Sequence, residues 1–168
     1  MLLLLNTAAT SESIYHRCLR RVKEIVQDLG LSGIASNKVL MRKMPWTSDF
    51  LQTVGALPCV LVCPYGRISV AGATNRRDDI GYPIAVVTIQ RSADSSNANR
   101  LTANFNRHLT WRQKISRAFR HGRLDGVNEV WTTREEPDQT IGQQAFSDGF
   151  DAQATIFRFI AREERGTT

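Results

Sequence analysis

The first residues of this 168-residue chain whose type and spacing could do chemistry are the adjacent Asp78 and Asp79. Clustered carboxylates near a strand end are what a divalent-metal nuclease site needs. Against that use, Arg76 and Arg77 stand immediately before the pair and no Glu-x-Lys follows on the next strand. The competing reading is an ion-paired, solvated loop tip at a protein interface. Cys59 and Cys63 lie four apart in an apolar run, Cys18 is remote, and His16, His108 and His121 supply no matching pair for zinc, so the cysteines read as buried, reduced core thiols. The histidines lie in or beside basic helices and none is marked as a base. Gly-x-x-x-x-Gly-Lys-Ser/Thr and Gly-x-Gly-x-x-Gly loops are both absent. The sequence therefore predicts no enzyme, no cofactor and no metal.

A second constellation is electrostatic. Residues 95–124 carry Arg100, Arg107, Arg112, Lys114, Arg117, Arg120 and Arg123 without one Asp or Glu, in a chain whose net charge is +6. Like charges at helical spacing repel, so a field of this kind is offset most simply by a partner, either nucleic acid or an acidic protein surface. Arg107, Lys114, Arg117 and Arg120 are the candidate members of a basic face toward that partner. Trp111 lies among them and could stack on a base, although a Trp at helical spacing is more often core or subunit contact. Residues 134–150 hold Glu135, Glu136, Asp138 and Asp148, and this acidic excursion could meet the basic helix of a neighbouring copy.

The elements that must position these groups follow from periodicity. Thr10 or Ser11 can cap a helix in which Ile14, Cys18, Val22, Ile25, Val26 and Leu29 form one apolar stripe, with Gly30 as its stop. Strands are expected over 38–44, 57–63, 67–70, 82–90, 127–133 and 152–161, with a polar loop over 71–81. Pro83 is tolerable only near the start of its strand. A second helix is predicted from about Leu101 to Arg120, with Leu101, Phe105, Leu109, Ile115 and Phe119 facing inward and Gly122 as its stop. The loop with Trp46 and Phe50 is undefined.

This order gives an α+β domain: one twisted, mostly antiparallel sheet of about five strands, with two main helices packed on one face. The other face or the edges are expected to be covered by self-association. Residues 1–168 read as a single domain whose residues 1–10 and 162–168 are loosely ordered. The opening MLLLL is too short to span a membrane and has neither the positive region nor the cleavage site of a signal peptide, so a reducing cytoplasm is expected.

With these elements in place, the chain resembles the tail-terminator and neck proteins of tailed bacteriophages over residues 12–161. The resemblance rests on the helix before a strand meander, on LPCVLVCPYGRISVAGATNRRDDIGYPIAVVTI, and on the later Leu-Thr-Trp-Arg-Gln-Lys-Ile helix with an acidic loop between the last strands. It implies a structural, non-enzymatic subunit of a ring, typically a hexamer, that ends the tail tube and docks it to the neck, connector or stopper protein. The tail tube protein would be a further partner, DNA would pass through the lumen, and no membrane would be involved. The protein would be assembled in the host cytoplasm and reside in the virion. Arg76, Arg77, Asp78, Asp79, Glu135, Glu136 and Asp138 are the candidate interface. The other reading is a nucleic-acid-binding module that uses the 100–123 helix.

Overall fold

A computed structural model describes residues 12–43, 57–74, 76–92, 98–120, 122–137 and 149–165. The first helix, α1, spans Ile14–Asp28. Ser13 caps it, its Oγ accepting from the His16 N–H at 3.2 Å; Thr10 and Ser11 lie outside the described residues. The helix buries Cys18, Val22 and Val26, a strict four-residue stripe. It ends where the Leu29 N–H bonds Ile25 and Gly30 takes a φ of 55°, a left-handed conformation that suits glycine.

One turn of 3-10 helix at Ser36–Lys38 leads into β1 (Val39–Met41), followed by β2 (Cys59–Pro64), β3 (Ser69–Ala73), β4 (Arg77–Arg91), the second helix α2 (Ala98–Phe119), β5 (Val130–Glu136) and β6 (Phe150–Glu164). The strands form one six-stranded sheet in the order β1-β2-β4-β6-β5, with β3 pairing with β4 beyond the end of β2. Only the β1–β2 pair is parallel. The α+β class and the placement of both helices on one face match the sequence-based expectation; the strand number is six, against about five.

The axis of the sheet is the pairing of β4 with β6. It runs unbroken from Arg77↔Glu164 to Arg91↔Phe150, well beyond the expected strands over 82–90 and 152–161. The segment 71–81 is consequently a β3–β4 hairpin, closed by the Thr74 N–H on the Arg77 carbonyl at 2.7 Å. Residues 162–164 are likewise strand, and the Arg165 N–H bonds Arg76 O at 3.0 Å; residues 1–10 and 166–168 lie outside the described residues. Pro83 sits in mid-strand without losing a ladder bond. Its carbonyl, which accepts from the Tyr65 N–H at 3.0 Å and the Tyr15 hydroxyl at 2.5 Å, faces the gap between the end of β2 and the start of β3. Its missing N–H would have pointed into that gap.

Both helices pack on the face formed by Val60, Val62, Ile84, Val86, Phe157 and Phe159. The rings of Phe119 and Phe157 lie 5.0 Å apart, and the Trp111 indole N–H donates to Ser32 O at 3.1 Å. The opposite face carries Cys59, Leu61, Cys63, Ala85, Val87 and Ile89, all fully buried within the single chain, so this face needs no second molecule to cover it. The three cysteines are free and buried, and burial pushes their thiols up to about 12, 11 and 12 for Cys18, Cys59 and Cys63.

The orientation of α2 departs from the sequence-based expectation. Ile115 and Phe119 face inward as predicted, but the remaining inward positions are His108, Trp111 and Ser116, while Leu101, Phe105 and Leu109 are 45%, 62% and 44% exposed. Leu101 lies about five full turns before the buried Phe119, so the exposed row is set by its place on the N-terminal half of the helix, beside the polar Thr88, Gln90, Asp151 and Gln153 of the sheet. The large Trp111 and the hydrogen-bonded polar residues His108 and Ser116 take the inner side instead. Truncating Trp111 or Phe119 to Ala is therefore expected to destabilise the fold by about 3–5 kcal/mol. Phe105→Ser and Leu109→Ser should stay within about 0.5 kcal/mol of the parent. Denaturant unfolding followed by circular dichroism measures both, and the reverse ranking would refute this orientation.

Candidate interaction surfaces

Asp78 and Asp79 lie inside β4 and not in a loop. Successive strand residues point to opposite faces, so the two carboxylates cannot converge on one ion. Each is held instead by an arginine near the end of β6: Asp79 by Arg162 (2.9 and 3.2 Å) and Asp78 by Arg165 (2.8 Å at the closest). Hydrogen bonding to these guanidinium groups holds both carboxyls below the usual carboxylate range. Among the described residues no group of His, Cys, Asp or Glu is arranged to hold a metal. Arg76 and Arg77 are exposed at the hairpin end, and Arg77 reaches Glu164 at 3.5 Å.

The acids of β5 are also engaged within the chain. Glu136 accepts from Arg158 Nε at 2.5 Å, and the same guanidinium donates to Ser69 Oγ at 2.6 Å, linking β5, β6 and β3. Gly81 makes room for this bridge, since a Cβ there would come within 2.9 Å of Arg158 Cδ. Glu135 accepts from Ser116 Oγ at 2.9 Å and lies 3.9 Å from Arg120. The basic helix and the acidic strand thus meet first inside one chain. Asp138 and Asp148 lie outside the described residues.

Arg107, Lys114 and Arg117 on α2, and Arg120 just beyond its end, are all exposed. No carboxylate among the described residues pairs with Arg107, Lys114 or Arg117. The Arg107 guanidinium lies 5.9 Å from the Trp111 ring centroid, and Lys114 Nζ reaches Gly30 O at 3.5 Å. Trp111 itself is fully buried and cannot stack on a base. The basic face is therefore present, without the aromatic platform that the sequence had suggested for it.

Sequence reasoning missed a groove beside the N-terminal half of α2. It encloses about 530 Å³ between Leu101, Phe105 and Leu109 on the helix and Ala152 on β6, with His108, Asp151 and Gln153 at its base. Thr88 Oγ1 lies 3.2 Å from His108 Nδ1 and donates to Gln153 O at 3.3 Å. If the hydroxyl proton goes to Gln153, Thr88 must accept from Nδ1–H. The Nε2 of a neutral His108 then points a bare lone pair toward Asp151 Oδ2, 3.3 Å away without hydrogen-bond geometry. Gln90 Oε1 and Gln153 Oε1 are buried without a partner in the same cluster. The signal available beforehand was small: His108 falls one turn before Trp111 on the inner side of the helix.

No protein-family model matches the chain, and no curated protein matches it. No helix among the described residues is long and apolar enough to cross a membrane.

The His108 network yields a pH dependence. Burial pushes the imidazole pKa below its ordinary 6.5; Asp151 opposes the shift and Arg107 adds to it. A histidine held neutral in the fold contributes stability that is present above its unfolded pKa and is lost as pH falls through the folded value. Unfolding free energy should accordingly decline as pH drops from about 7 to about 5, and His108→Gln should flatten that slope. Parallel pH profiles for parent and variant, from urea titrations, would contradict this.

Proposed function

We propose that this chain is a non-enzymatic structural subunit of a ring at the head-to-tail junction of a tailed bacteriophage, ending the tail tube and docking it to the neck. The observation that carries the reading is the outward face of α2. The helix spends its inner side on His108, Trp111, Ile115, Ser116 and Phe119, yet leaves Leu101, Phe105 and Leu109 exposed as a continuous row. An apolar row on a helix that also carries an exposed basic face suits a protein that joins others. The resemblance over residues 12–161 supplies the identity of the assembly, and the α+β domain with both helices on one side of the sheet is consistent with it. In this reading the protein takes no cofactor, assembles as a closed homomeric ring, most simply a hexamer, and resides in the virion. Its partners are the tail tube protein and the neck, connector or stopper protein.

A second reading, nucleic-acid binding through α2, is favoured by the exposed Arg107, Lys114 and Arg117, which pair with no carboxylate among the described residues. Within a ring the two are compatible, because DNA would pass through the lumen.

The test is made on particles. Peptides of the chain should be found in purified virions at ring stoichiometry, and interrupting the gene should leave filled heads unjoined to tails of uncontrolled length. Normal particles from the interrupted gene would refute the proposal. The triple charge reversal Arg107→Glu, Lys114→Glu and Arg117→Glu should fold like the parent, and any short-duplex binding that the parent shows should fall steeply with salt. Unchanged binding in the triple variant would remove α2 as a DNA contact.

A further inference from the structure

Among the described residues, the large apolar side chains left exposed are Ile68, Val70, Leu101, Phe105, Leu109 and Trp131. Trp131 is covered in part by Arg162, whose guanidinium lies 5.4 Å from the ring centroid. The others form two separate groups. Ile68 and Val70 belong to the β3 hairpin, which pairs with the Arg77 end of β4. Leu101, Phe105 and Leu109 wall the groove at the other end of the ribbon, where Gln90 and Asp151 pair. With about ten strand residues between them, the two groups are roughly 30 Å apart. Val70 is in register with Ile80, and Gln153 with Thr88, so both groups lie on the helix side of the ribbon.

The two surfaces are complementary. The hairpin is exposed along residues 66–71: residues 68–74 carry no charge, β3 pairs on one edge only, and Arg67 stands beside Ile68 with no acid paired to it among the described residues. Uncharged edge strands with outward apolar side chains invite pairing, and proteins that remain single usually blunt them with charge. The groove is concave, with apolar walls and an acceptor-rich base, where among the described residues the Asp151 carboxylate has only the Gln90 amide at 3.5 Å as a hydrogen-bond donor and Gln153 Oε1 has none. Such a base calls for a cationic donor on an apolar stem, which is what Arg67 beside Ile68 and Val70 presents.

We propose that residues 67–70 of one copy seat in the α2 groove of the next copy, with Arg67 directed to Asp151 and Ile68 and Val70 against Leu101, Phe105 and Leu109. An exposed patch at one end of a rigid ribbon and its concave counterpart at the other make a head-to-tail contact, which closes into a ring when the rotation per subunit allows. This inference rests on the ring-subunit reading for its biological setting, but it is a statement about a contact and can fail or hold separately.

The test uses the full chain at high protein concentration with a short bis-maleimide. The native cysteines are buried with raised thiol pKa values, so thiols introduced by Ile68→Cys and Phe105→Cys, at positions 53% and 62% exposed, are the reactive ones. An equimolar mixture of the two single variants should give mainly the mixed adduct, and the doubly substituted chain should give a ladder ending at the ring size. Arg67→Glu should weaken self-association by at least about tenfold, and pairing it with Asp151→Lys should restore it. A doubly substituted chain that stops at dimer would support the contact while sinking the ring reading. Homogeneous adducts alone, or no adduct together with unchanged self-association in Arg67→Glu, would overturn the contact whatever the particles show.

Discussion

The structure depends on one interaction, the long antiparallel pairing of β4 with β6. Over its middle third the ribbon is apolar on both sides, with Ile84, Val86, Phe157 and Phe159 toward the helices and Ala85, Val87, Ala154 and Ile156 away from them. Both faces are apolar, so what opposes a one-residue slip is size: it would drive Phe157 and Phe159 into the space of Ala154 and Ile156 and leave voids under the helices. That fixes the register, and the register places β2 and β3 end to end along one edge and β5 along the other. It also separates the two ends of the molecule, each of which carries a surface that the core does not use.

Charge is sorted along the same axis. At the hairpin end the arginines and acids of β4, β5 and β6 cancel one another through Arg162–Asp79, Arg165–Asp78 and Arg158–Glu136. On α1, Arg17 is likewise paired with Glu129 at 2.6 Å and Arg21 with Glu24 at 3.0 Å. Exposed ion pairs of this sort contribute little to stability, typically under about 1 kcal/mol each, so their main effect is to remove charge from the outer surface. The largest run of cations without a carboxylate partner among the described residues is on α2, at Arg107, Lys114 and Arg117. The excess that the sequence shows over 95–124 is therefore a property of the surface and not an accident of composition.

The sequence made the class of fold legible because the strongest signals are local: the Cys18-Val22-Val26 stripe, the apolar run 57–63 and the alternation through Phe157 and Phe159 all report burial directly. Strand ends were not legible, because Arg77, Asp78, Asp79 and Arg162 look like loop residues until their cross-strand partners are known. Paired charges can occupy a ribbon that extends past its core, and a single sequence does not reveal which charges are paired. The candidate acids failed as a cluster for the same reason, since Asp78 and Asp79 are adjacent in sequence but lie on opposite faces of a strand. Trp111 followed the commoner use of a Trp at helical spacing: its indole N–H found a backbone carbonyl and the whole ring became core.

The exposed row on α2 has its cause in the sheet beneath it. Moving along the helix side of the ribbon, the apolar residues give way to Thr88, Gln90, Asp151 and Gln153. A leucine or phenylalanine set down on that patch would strand several hydrogen-bonding groups away from water, at about 1–3 kcal/mol for each unsatisfied group. The helix residues that do approach are polar: Asn104, whose carbonyl accepts from Gln90 Nε2 at 3.2 Å, and His108, which reaches Thr88. Leu101, Phe105 and Leu109 consequently line the groove instead of closing over this part of the sheet. The polar cluster thus holds the groove open and its apolar wall outward at the same time, so the surface proposed for a neighbouring copy is built into the composition of the core and does not rest on a mobile side chain.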